Sequence, residues 1–546
     1  MARPQRFILG FLLLLLSTAP LLCAQTLPAP VTSTRTDVPP SQLLTTPVAA
    51  DWLSYNGDYT GRRYSGLREI NIGNVANLRV QWVFHSPNSS HLEVTPVVVD
   101  GIMLVTSAND AYALDAQTGR TLWHHSRPIT EGLIDDASQH HNRGVAVWRN
   151  RIFMETDNAH LLCLDARSGN LLWDVPYTDG NPNYGATSAP LVVKDKVIVG
   201  TSGGDDGVRG FVAAFDAESG KEAWRFWTIP APGEFGSSSW PGESYKLGGG
   251  TTWMPGTFDP ELNTIFWGTS NPAPDFDGGP RPGDDLYTDC LLALDPDTGK
   301  LKWYFQFTPH DLFDYDAVET PVLVDAIFRG QPRKLIVEAN RNGFLYILDR
   351  TDGAFLSARR FAEKLNWATG IDEKGRPIRT DVQPTEAGSR VCPGMVGATN
   401  WHSPAYNPQT SLFYFMALES CDIYFAKAQK FEPGQTYYST GVRRSESDQN
   451  QKILLAYSLD GDHPAWRYVQ SGEGHSSAGV MTTAGGLLFF GDDARSFEAV
   501  DAAAGTPLWH FNIGQTISAS PMSYAIKSKQ YVAIAAGSDI FAFTLP

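Results

Sequence analysis

Five stretches of the chain repeat one order of apolar and polar positions. A short apolar run leads to an Asp, a Gly follows four residues later, and a Trp follows eight residues after the Asp. The copies are Asp115/Gly119/Trp123, Asp165/Gly169/Trp173, Asp216/Gly220/Trp224, Asp295/Gly299/Trp303 and Asp501/Gly505/Trp509. Asp bonds to its own backbone and Gly accepts positive φ, so each Asp–Gly segment predicts a tight turn. The apolar run predicts the strand before the turn, and the Trp lies on the strand after it.

The spacing of these tryptophans predicts a ring of stacked sheets. Further markers are Trp82, Trp466 and the degenerate copy Asp349/Gly353, in which Ser357 replaces the Trp. A four-stranded sheet cannot bury both faces alone, whereas a ring of such sheets can. The pattern therefore predicts an all-β, eight-bladed β-propeller with tryptophan-docking motifs, and a β-sandwich array is the alternative. The wide gap between Ser357 and Trp466 predicts a long insertion.

Length and charge limit the function. A chain of 546 residues would ordinarily hold several domains, but a closed ring is one unit. The formal net charge is −16 and the chain has no tract rich in Lys or Arg, which argues against a nucleic-acid partner.

The amino terminus has the order of a secretory signal. Arg3 and Arg6 precede an apolar stretch over residues 7–16, and small residues lead to Ala24. We therefore expect a signal peptide over 1–24, a flexible leader rich in Pro, Thr and Ser over 25–50, and the propeller over 51–546. Cys23 raises the alternative that the chain is a lipoprotein, although the residues around Cys23 match a lipobox poorly. No other stretch is apolar enough for a transmembrane anchor after signal removal.

The four remaining cysteines lie in two kinds of surroundings. Cys163 and Cys290 lie in apolar strands and are predicted to be buried thiols. Cys392 and Cys421 lie in the insertion, where an exported chain allows a disulfide. The chain contains no Cys-x-x-Cys-His, the attachment motif of a c-type haem.

Polar and Gly-rich segments between the strands carry the candidate chemistry. The oxygens of Asp205, Asn271, Asp314 and Asp316 suit a hard cation such as Ca²⁺. A planar polyanion could be bound by Arg143, Arg341 and Thr187, with Trp253 as a stacking surface. Each residue alone has an ordinary structural explanation, and only their joint occurrence points to a site.

Taken together, these segments resemble the pyrroloquinoline quinone (PQQ)-dependent alcohol dehydrogenases, the methanol and ethanol dehydrogenase family of periplasmic quinoproteins. The similarity runs from Asp51-Trp52 to the carboxyl terminus, and the segments occur in the family's order. It implies that Trp253, in Gly-Gly-Gly-Thr-Thr-Trp, is the floor on which PQQ stacks. It also implies that the other contacts to PQQ are Glu93, Arg143, Thr187, Ser202, Gly203, Gly204, Thr251, Asn400 and Trp401.

The same resemblance assigns the metal and the catalytic residues. Asp205, Asn271, Asp314 and Asp316 resemble ligands of Ca²⁺ or a lanthanide ion. Asp314 resembles the base that takes the substrate's hydroxyl proton, and Arg341 resembles the residue beside the reactive carbonyl of PQQ. Cys392 and Cys421 fall where the family has a structural disulfide.

Three departures from the family's pattern stand out. The family's metal-binding Glu is here Asp205, which is one methylene shorter. The adjacent cysteines that commonly precede Asn-Arg-Gly are here Ala137 and Ser138. Asp316 follows Asp314 by two residues, as in lanthanide-using members, although related glucose dehydrogenases also carry an acidic residue there.

The resemblance implies a periplasmic enzyme that oxidises a small alcohol or polyol to an aldehyde or ketone. Without haem in the chain, the electrons are expected to pass to a separate acceptor such as a cytochrome c. Two alternatives stay open: a soluble PQQ-dependent polyol or sugar dehydrogenase, and a non-catalytic propeller scaffold of the outer-membrane assembly type.

Overall fold

The computed structural model describes residues 37–472 and 477–546, without the side chains of 136 and 137. The predicted signal peptide and residues 25–36 of the predicted leader lie outside this range. Helical structure within it is limited to short turns, which confirms the all-β prediction. They are one α-helical turn, Asp135–Ser138, and the 3₁₀ turns Gln42–Leu44, Val75–Asn77, Gly204–Asp206, Ser237–Ser239 and Ser244–Lys246.

Eight sheets of four or five strands make up most of the described residues, and we number them in chain order. Sheets 1 to 5 each use four consecutive antiparallel strands. Sheet 1 comprises Val97–Val99, Ile102–Ser107, Asp110–Asp115 and Thr121–Ser126; sheet 2 comprises Ala146–Trp148, Arg151–Glu155, His160–Asp165 and Leu171–Pro176. Sheet 3 comprises Leu191–Val193, Lys196–Val199, Phe211–Asp216 and Glu222–Trp227; sheet 4 comprises Thr257–Asp259, Thr264–Gly268, Cys290–Leu294 and Leu301–Gln306. Sheet 5 comprises Val322–Phe328, Gln331–Ala339, Phe344–Asp349 and Phe355–Arg360.

The last three sheets contain the long connections and the closure. Sheet 6 comprises Ala405–Asn407, Leu412–Glu419, Gln451–Ser458 and Trp466–Val469; sheet 7 comprises Val480–Thr483, Leu487–Gly491, Ser496–Asp501, Pro507–Asn512 and the parallel strand Tyr64–Ser65. Sheet 8 comprises Met522–Ile526, Lys529–Ala536, Asp539–Thr544 and Arg79–His85. Because Arg79–His85 pairs with Asp539–Thr544, hydrogen bonds join the two ends of the described chain.

Burial explains why the inner strands read as continuous apolar runs. In sheet 1 every residue of Ile102–Ser107 and Asp110–Asp115 is buried, whereas the fourth strand, Thr121–Ser126, alternates between half-buried and exposed positions. An inner strand covered on both faces has no solvent side and therefore no polar alternation.

The repeated Trp and Gly meet across neighbouring sheets. The indole N–H of Trp82 donates to the Ala116 carbonyl at 3.1 Å, and Trp123 donates in the same way to Ala166 at 3.1 Å. The corresponding indoles donate to the next sheet in three more copies: Trp173 to Glu218, Trp224 to Pro296 and Trp466 to Ala502. A Cβ on the turn glycine would come within 2.5–3.0 Å of the preceding copy's indole in six places: Gly119, Gly169, Gly220, Gly299, Gly353 and Gly505. The glycine thus provides both the positive φ that the sequence predicts and room for the indole.

The degenerate copy is linked to its neighbour by a different group. Ser357 stands where the other copies have Trp, and the guanidinium of Arg359 on the same strand reaches sheet 6. It donates to the carbonyls of Ser458, Leu459 and Gly461. Hydrogen bonds from an arginine therefore replace the indole contact at this junction.

The gap between Ser357 and Trp466 holds two excursions rather than one insertion. Residues 361–404 precede sheet 6, and residues 420–450 leave it between its second and third strands. They contain the two-stranded sheet Ala368–Ile371 and Pro377–Arg379, and they share the three-stranded sheet Ser389–Val391, Asp422–Ala426 and Thr440–Arg444. The Cys392–Cys421 disulfide joins them beside this shared sheet, and Cys163 and Cys290 are buried thiols.

We expect peptide mapping without reductant to recover Cys392 and Cys421 as one linked pair. Cys163 and Cys290 should be alkylated only after unfolding, because both side chains are fully buried. Alkylated Cys392 in the unreduced protein would remove this link between the excursions.

Part of the predicted leader packs on the sheets. Val38 and Arg149 exchange backbone hydrogen bonds at 2.9 and 2.7 Å, and Val38, Leu43 and Val48 are buried. Residues 37–50 are therefore bound to the fold, and only residues 25–36 keep the prediction of a flexible leader. Within the described residues, no helix has the length and apolar character needed to span a membrane.

Candidate active site

The topology brings the predicted site residues to one end of the sheets. Arg143, Thr187 and Trp253 lie just before the first strands of sheets 2, 3 and 4, and Asp205 and Asn271 follow the second strands of sheets 3 and 4. In an antiparallel pair, the start of the first strand and the end of the second lie at the same edge. Asp316, Arg341 and Asn400 occupy equivalent positions in sheets 5 and 6.

A cavity of about 540 Å³ opens at this end. Its lining contains all but two of the residues predicted to bind cofactor or metal or to act in catalysis: Arg143, Thr187, Ser202, Gly204, Asp205, Thr251, Trp253, Asn271, Asp314, Asp316, Arg341, Asn400 and Trp401. Segments separated by up to 258 positions, from Arg143 to Trp401, therefore meet around one space.

The two exceptions, Glu93 and Gly203, lie behind the lining. Glu93 is buried and its Oε2 lies 2.7 Å from Arg143 Nη2. Although burial raises the pKa of Glu93, Arg143 and two histidines outweigh it and leave the pKa below its ordinary value. Gly203 has φ of +94°, and a Cβ there would meet the Asn183 carbonyl oxygen at 1.9 Å. Glu93 thus holds Arg143, and Gly203 shapes the loop that carries Ser202 and Gly204.

We call Asp205, Asn271, Asp314 and Asp316 the acidic wall. Asn271 Nδ2 donates to Asp205 Oδ1 at 3.1 Å, and the Asn271 backbone N–H donates to Asp316 Oδ1 at 2.8 Å. Arg341 Nη1 donates to Asp316 Oδ2 at 2.5 Å, and its Nη2 lies 3.2 Å from Asp314 Oδ2. Asp314 has φ of +61°, a strained region for a non-glycine residue that is held here by the surrounding loop.

With its carboxyl groups ionised, the acidic wall would carry more negative than positive charge. Its three carboxylates face one guanidinium, that of Arg341. Burial raises the pKa of Asp314 well above its ordinary value; Arg341 opposes the rise, and Asp205 and Asp316 add to it. Burial lowers the pKa of Arg341, but Asp314 and Asp316 reverse the effect and raise it. A cation bound among these oxygens would offset the excess charge, so the wall suits a metal ion.

A second wall is aromatic and cationic, and it adjoins the acidic wall, because the Trp253 side chain donates a hydrogen bond to Asp316. The Arg143 guanidinium lies 5.0 Å from the centre of the Trp253 ring and 4.4 Å from that of Trp401. Arg143 Nη1 also donates to the Thr187 hydroxyl at 2.8 Å. The Ser202 hydroxyl and the Arg143 Nε are buried, with no hydrogen-bond partner in the described part of the chain. A flat ligand with several acidic groups would satisfy these donors, so the residues present fit PQQ.

Ten further lining residues were not predicted from the sequence: Gln139, His141, Ser270, Asp275, Phe276, Met395, Tyr438, Thr440, Gly441 and Val442. Met395 and residues 438–442 belong to the two excursions. The Asp–Gly–Trp repeat does not extend into these excursions, so it could not predict their path. Gln139 and His141 lie beside Asn142-Arg143-Gly144, so that motif is the one signal that could have indicated them.

Comparisons with known proteins agree with this geometry. The profile described as "PQQ: Glucose/ethanol/alcohol dehydrogenase, beta-propeller domain" matches residues 52–358 and 463–532. The quinohemoprotein alcohol dehydrogenase ADH IIB of Pseudomonas putida is 36% identical over 508 residues, which cover 89% of this chain and 73% of that protein. The lanthanide-dependent methanol dehydrogenase of Methylacidiphilum fumariolicum is 34% identical over 528 residues, covering 89% and 84%. The solved structure of a europium-containing methanol dehydrogenase superposes with a TM-score of 0.84 at 30% identity and covers 91% of this chain and 98% of that one.

The sheets, the acidic and aromatic lining of one cavity, and the matching family profile together place the chain among the quinoprotein dehydrogenases. The chain belongs to the family of PQQ-dependent glucose, ethanol and alcohol dehydrogenases with a β-propeller domain, and it is an enzyme of that family.

Proposed function

We propose that the protein is a PQQ-dependent dehydrogenase that oxidises an alcohol to an aldehyde or ketone. The observation that carries the proposal is that one cavity is lined both by the acidic wall and by Arg143, Trp253 and Trp401. A non-catalytic scaffold requires no such convergence. Relatives named as alcohol dehydrogenases, at 34–36% identity over most of the chain, support the same activity.

Each wall has a proposed ligand. Trp253 offers the stacking surface for PQQ, and Arg143, Thr187, Ser202, Thr251 and Asn400 offer groups for its acidic and ring polar atoms. Asp205, Asn271, Asp314 and Asp316 offer oxygens for the metal ion. When bound, PQQ supplies the two-electron oxidation, and the metal ion acts on it as a Lewis acid.

The protein's own residues then position the substrate and move its proton. We assign Asp314 as the base, whose Oδ atoms accept the hydroxyl proton of the alcohol, a role worth roughly 10²–10⁴-fold in rate. Arg341 holds the carboxylates of Asp314 and Asp316 in place and presents positive charge where negative charge develops.

The cavity wall favours an alcohol with an apolar chain. Phe276, Met395, Tyr438 and Val442 bring aromatic and aliphatic surface to the lining. A sugar needs a hydrogen-bond partner for each hydroxyl that is removed from water, and the polar groups of the lining that are not assigned to PQQ or the metal include those of Gln139, His141, Asp275 and Thr440.

A dye-linked activity screen of the PQQ- and metal-loaded enzyme tests the proposed function. We expect primary and secondary alcohols to be oxidised with a higher kcat/KM than polyols and aldoses. Preferential oxidation of aldoses would establish the sugar-dehydrogenase alternative. No substrate-dependent dye reduction with any class would contradict the proposal.

We propose that the metal is Ca²⁺ or a lanthanide ion, and Asp316 decides between them. Its carboxylate adds negative charge beside Asp314, which favours a trivalent ion. Asp316 already accepts hydrogen bonds from Asn271, Arg341 and the Trp253 side chain, so its two oxygens together keep one lone pair for a metal. Relatives named as lanthanide-dependent and europium-containing support the trivalent choice.

Replacing Asp316 by Ala is therefore expected to reduce lanthanide-supported kcat much more than Ca²⁺-supported kcat. Parallel assays of wild-type and variant enzyme with La³⁺ and with Ca²⁺ measure the difference. Equal losses with both ions would show that Asp316 positions Arg341 and Asn271 instead of selecting the metal.

We also propose that the eight sheets are the blades of the propeller and that the Trp–Gly contacts dock neighbouring blades. If so, Gly169→Ala should cost about 1–3 kcal/mol more unfolding free energy than Gly180→Ala. Both glycines have positive φ, +70° and +82°, but only a Cβ on Gly169 meets an indole, that of Trp123 at 2.5 Å. Equal losses of unfolding free energy for the two variants in denaturant titrations would mean that the Trp123 indole can move to accept the extra carbon. The contact between neighbouring sheets would then be loosely packed.

For the cell, we propose export by the signal sequence over residues 1–24 and action in the periplasm. A separate acceptor such as a cytochrome c would then receive the electrons. The basic, apolar and small-residue order of this segment supports export.

A further inference from the structure

Two histidines and a glutamate converge behind Arg143. His91 and Glu93 lie just before the first strand of sheet 1, and His141 lies just before the first strand of sheet 2. One ligand atom from each of the three lies within 4.8 Å of the other two. The Glu93 side chain is only 6% exposed, whereas those of His91 and His141 are 37% and 22% exposed.

The distances from Glu93 to the two histidines are compatible with a shared metal ion, and the shorter one also suits a hydrogen bond. Glu93 Oε1 lies 3.5 Å from His91 Nε2 and 3.2 Å from His141 Nδ1. Ligands at zinc's usual bond lengths in a tetrahedral arrangement lie about 3.3–3.5 Å apart. Normal N–H···O hydrogen bonds span about 2.7–3.2 Å, so the His91 contact is long for one.

Glu93 divides its two oxygens between different partners. Oε2 lies against Arg143 at 2.7 Å, and Oε1 faces both histidines. A ligating carboxylate is commonly oriented by a hydrogen-bonding partner of this kind. The charge of Arg143 also opposes a second cation, so we expect micromolar rather than tighter affinity.

We propose that His91 Nε2, Glu93 Oε1 and His141 Nδ1 bind a divalent transition-metal ion of the zinc type, separate from the acidic wall. Two imidazoles and one carboxylate are the donor set of many zinc sites, whereas Ca²⁺ and lanthanides prefer oxygen alone. The ion would link the segment that precedes sheet 1 to the segment that precedes sheet 2. It would also hold in place the side chain of His141, which lines the cavity. This inference does not depend on the proposed dehydrogenase function.

Calorimetric titration with ZnCl₂ tests the site, using full-length protein without a polyhistidine tag and with Ca²⁺ in excess to occupy the acidic wall. We expect one saturable zinc site per chain and a higher Tm with zinc. His91→Ala and His141→Ala should each weaken binding by at least about tenfold, since loss even of an outer partner costs about 10–100-fold. CoCl₂ should give the intense visible absorption of a tetrahedral site in the wild type but not in His91→Ala or His141→Ala.

His140→Ala is the matched control. His140 neighbours His141, but its Nδ1 lies 3.8 Å from Asp157 and it is not in the group, so this variant should bind zinc like the wild type. If His141→Ala fails to fold, His91→Ala decides, because that side chain is the more exposed of the two. Absence of saturable zinc binding in the wild type, or unchanged affinity in His91→Ala, would overturn the proposal.

Discussion

Replacing Asp314 by Asn is expected to reduce kcat by about 10²–10⁴-fold with either Ca²⁺ or a lanthanide, the range that a positioned base contributes. The amide keeps an oxygen for the metal and nearly the same volume, but it cannot accept the substrate proton. PQQ retention should therefore change little. Steady-state assays with each metal, together with the bound-quinone absorbance, measure the two effects separately.

Asp277→Asn is the control for this substitution. Asp277 lies in the loop next to Phe276 but outside the cavity lining, so its amide should leave kcat unchanged. Near-normal turnover in Asp314→Asn would show that another group takes the proton. Loss of PQQ together with activity would show that Asp314 acts mainly through the metal.

Replacing Arg143 by Ala is expected to weaken PQQ binding by about 10–100-fold for each charged hydrogen bond lost, at about 1.5–3 kcal/mol per bond. The same change leaves Glu93 buried without its cation. Breaking a buried ion pair from one side costs about 3–5 kcal/mol, so the unfolding free energy should fall by a similar amount. Equilibrium PQQ titration and denaturant unfolding report the two losses.

The double variant Arg143→Ala/Glu93→Gln separates the roles of the pair. Removing the uncompensated charge should restore much of the lost unfolding free energy, because the buried carboxylate is gone. PQQ binding should stay weak, because the donors of Arg143 are still missing. If PQQ binding returned with stability, Arg143 would be a structural residue rather than a cofactor contact.

The repeated Asp–Gly–Trp order was enough to predict the sheets, because each copy carries its own strand and turn signals. The same repeated order explains why the site residues come together. They lie just before the first strand or just after the second strand of their sheets, and these two positions lie at the same edge of the sheet. Thirteen of the predicted site residues line the cavity for this reason, although their roles stay predictions.

The residues that the sequence did not indicate depend on contacts between distant segments. Tyr438 and Val442 reach the cavity through an excursion that pairs with residues 389–391, and no local pattern encodes that pairing. Arg359 bridges to sheet 6 at the one copy without a Trp. The group of His91, Glu93 and His141 joins two sheets whose relative placement no single segment specifies.

The most direct test of PQQ binding in this cavity is the spectrum of the protein after incubation with PQQ and either Ca²⁺ or La³⁺, followed by desalting. We predict about one bound quinone per chain, and loss of that absorbance in Trp253→Ala, which removes the stacking surface. A wild-type protein that retains no quinone with either metal would contradict the assignment of this cavity to PQQ.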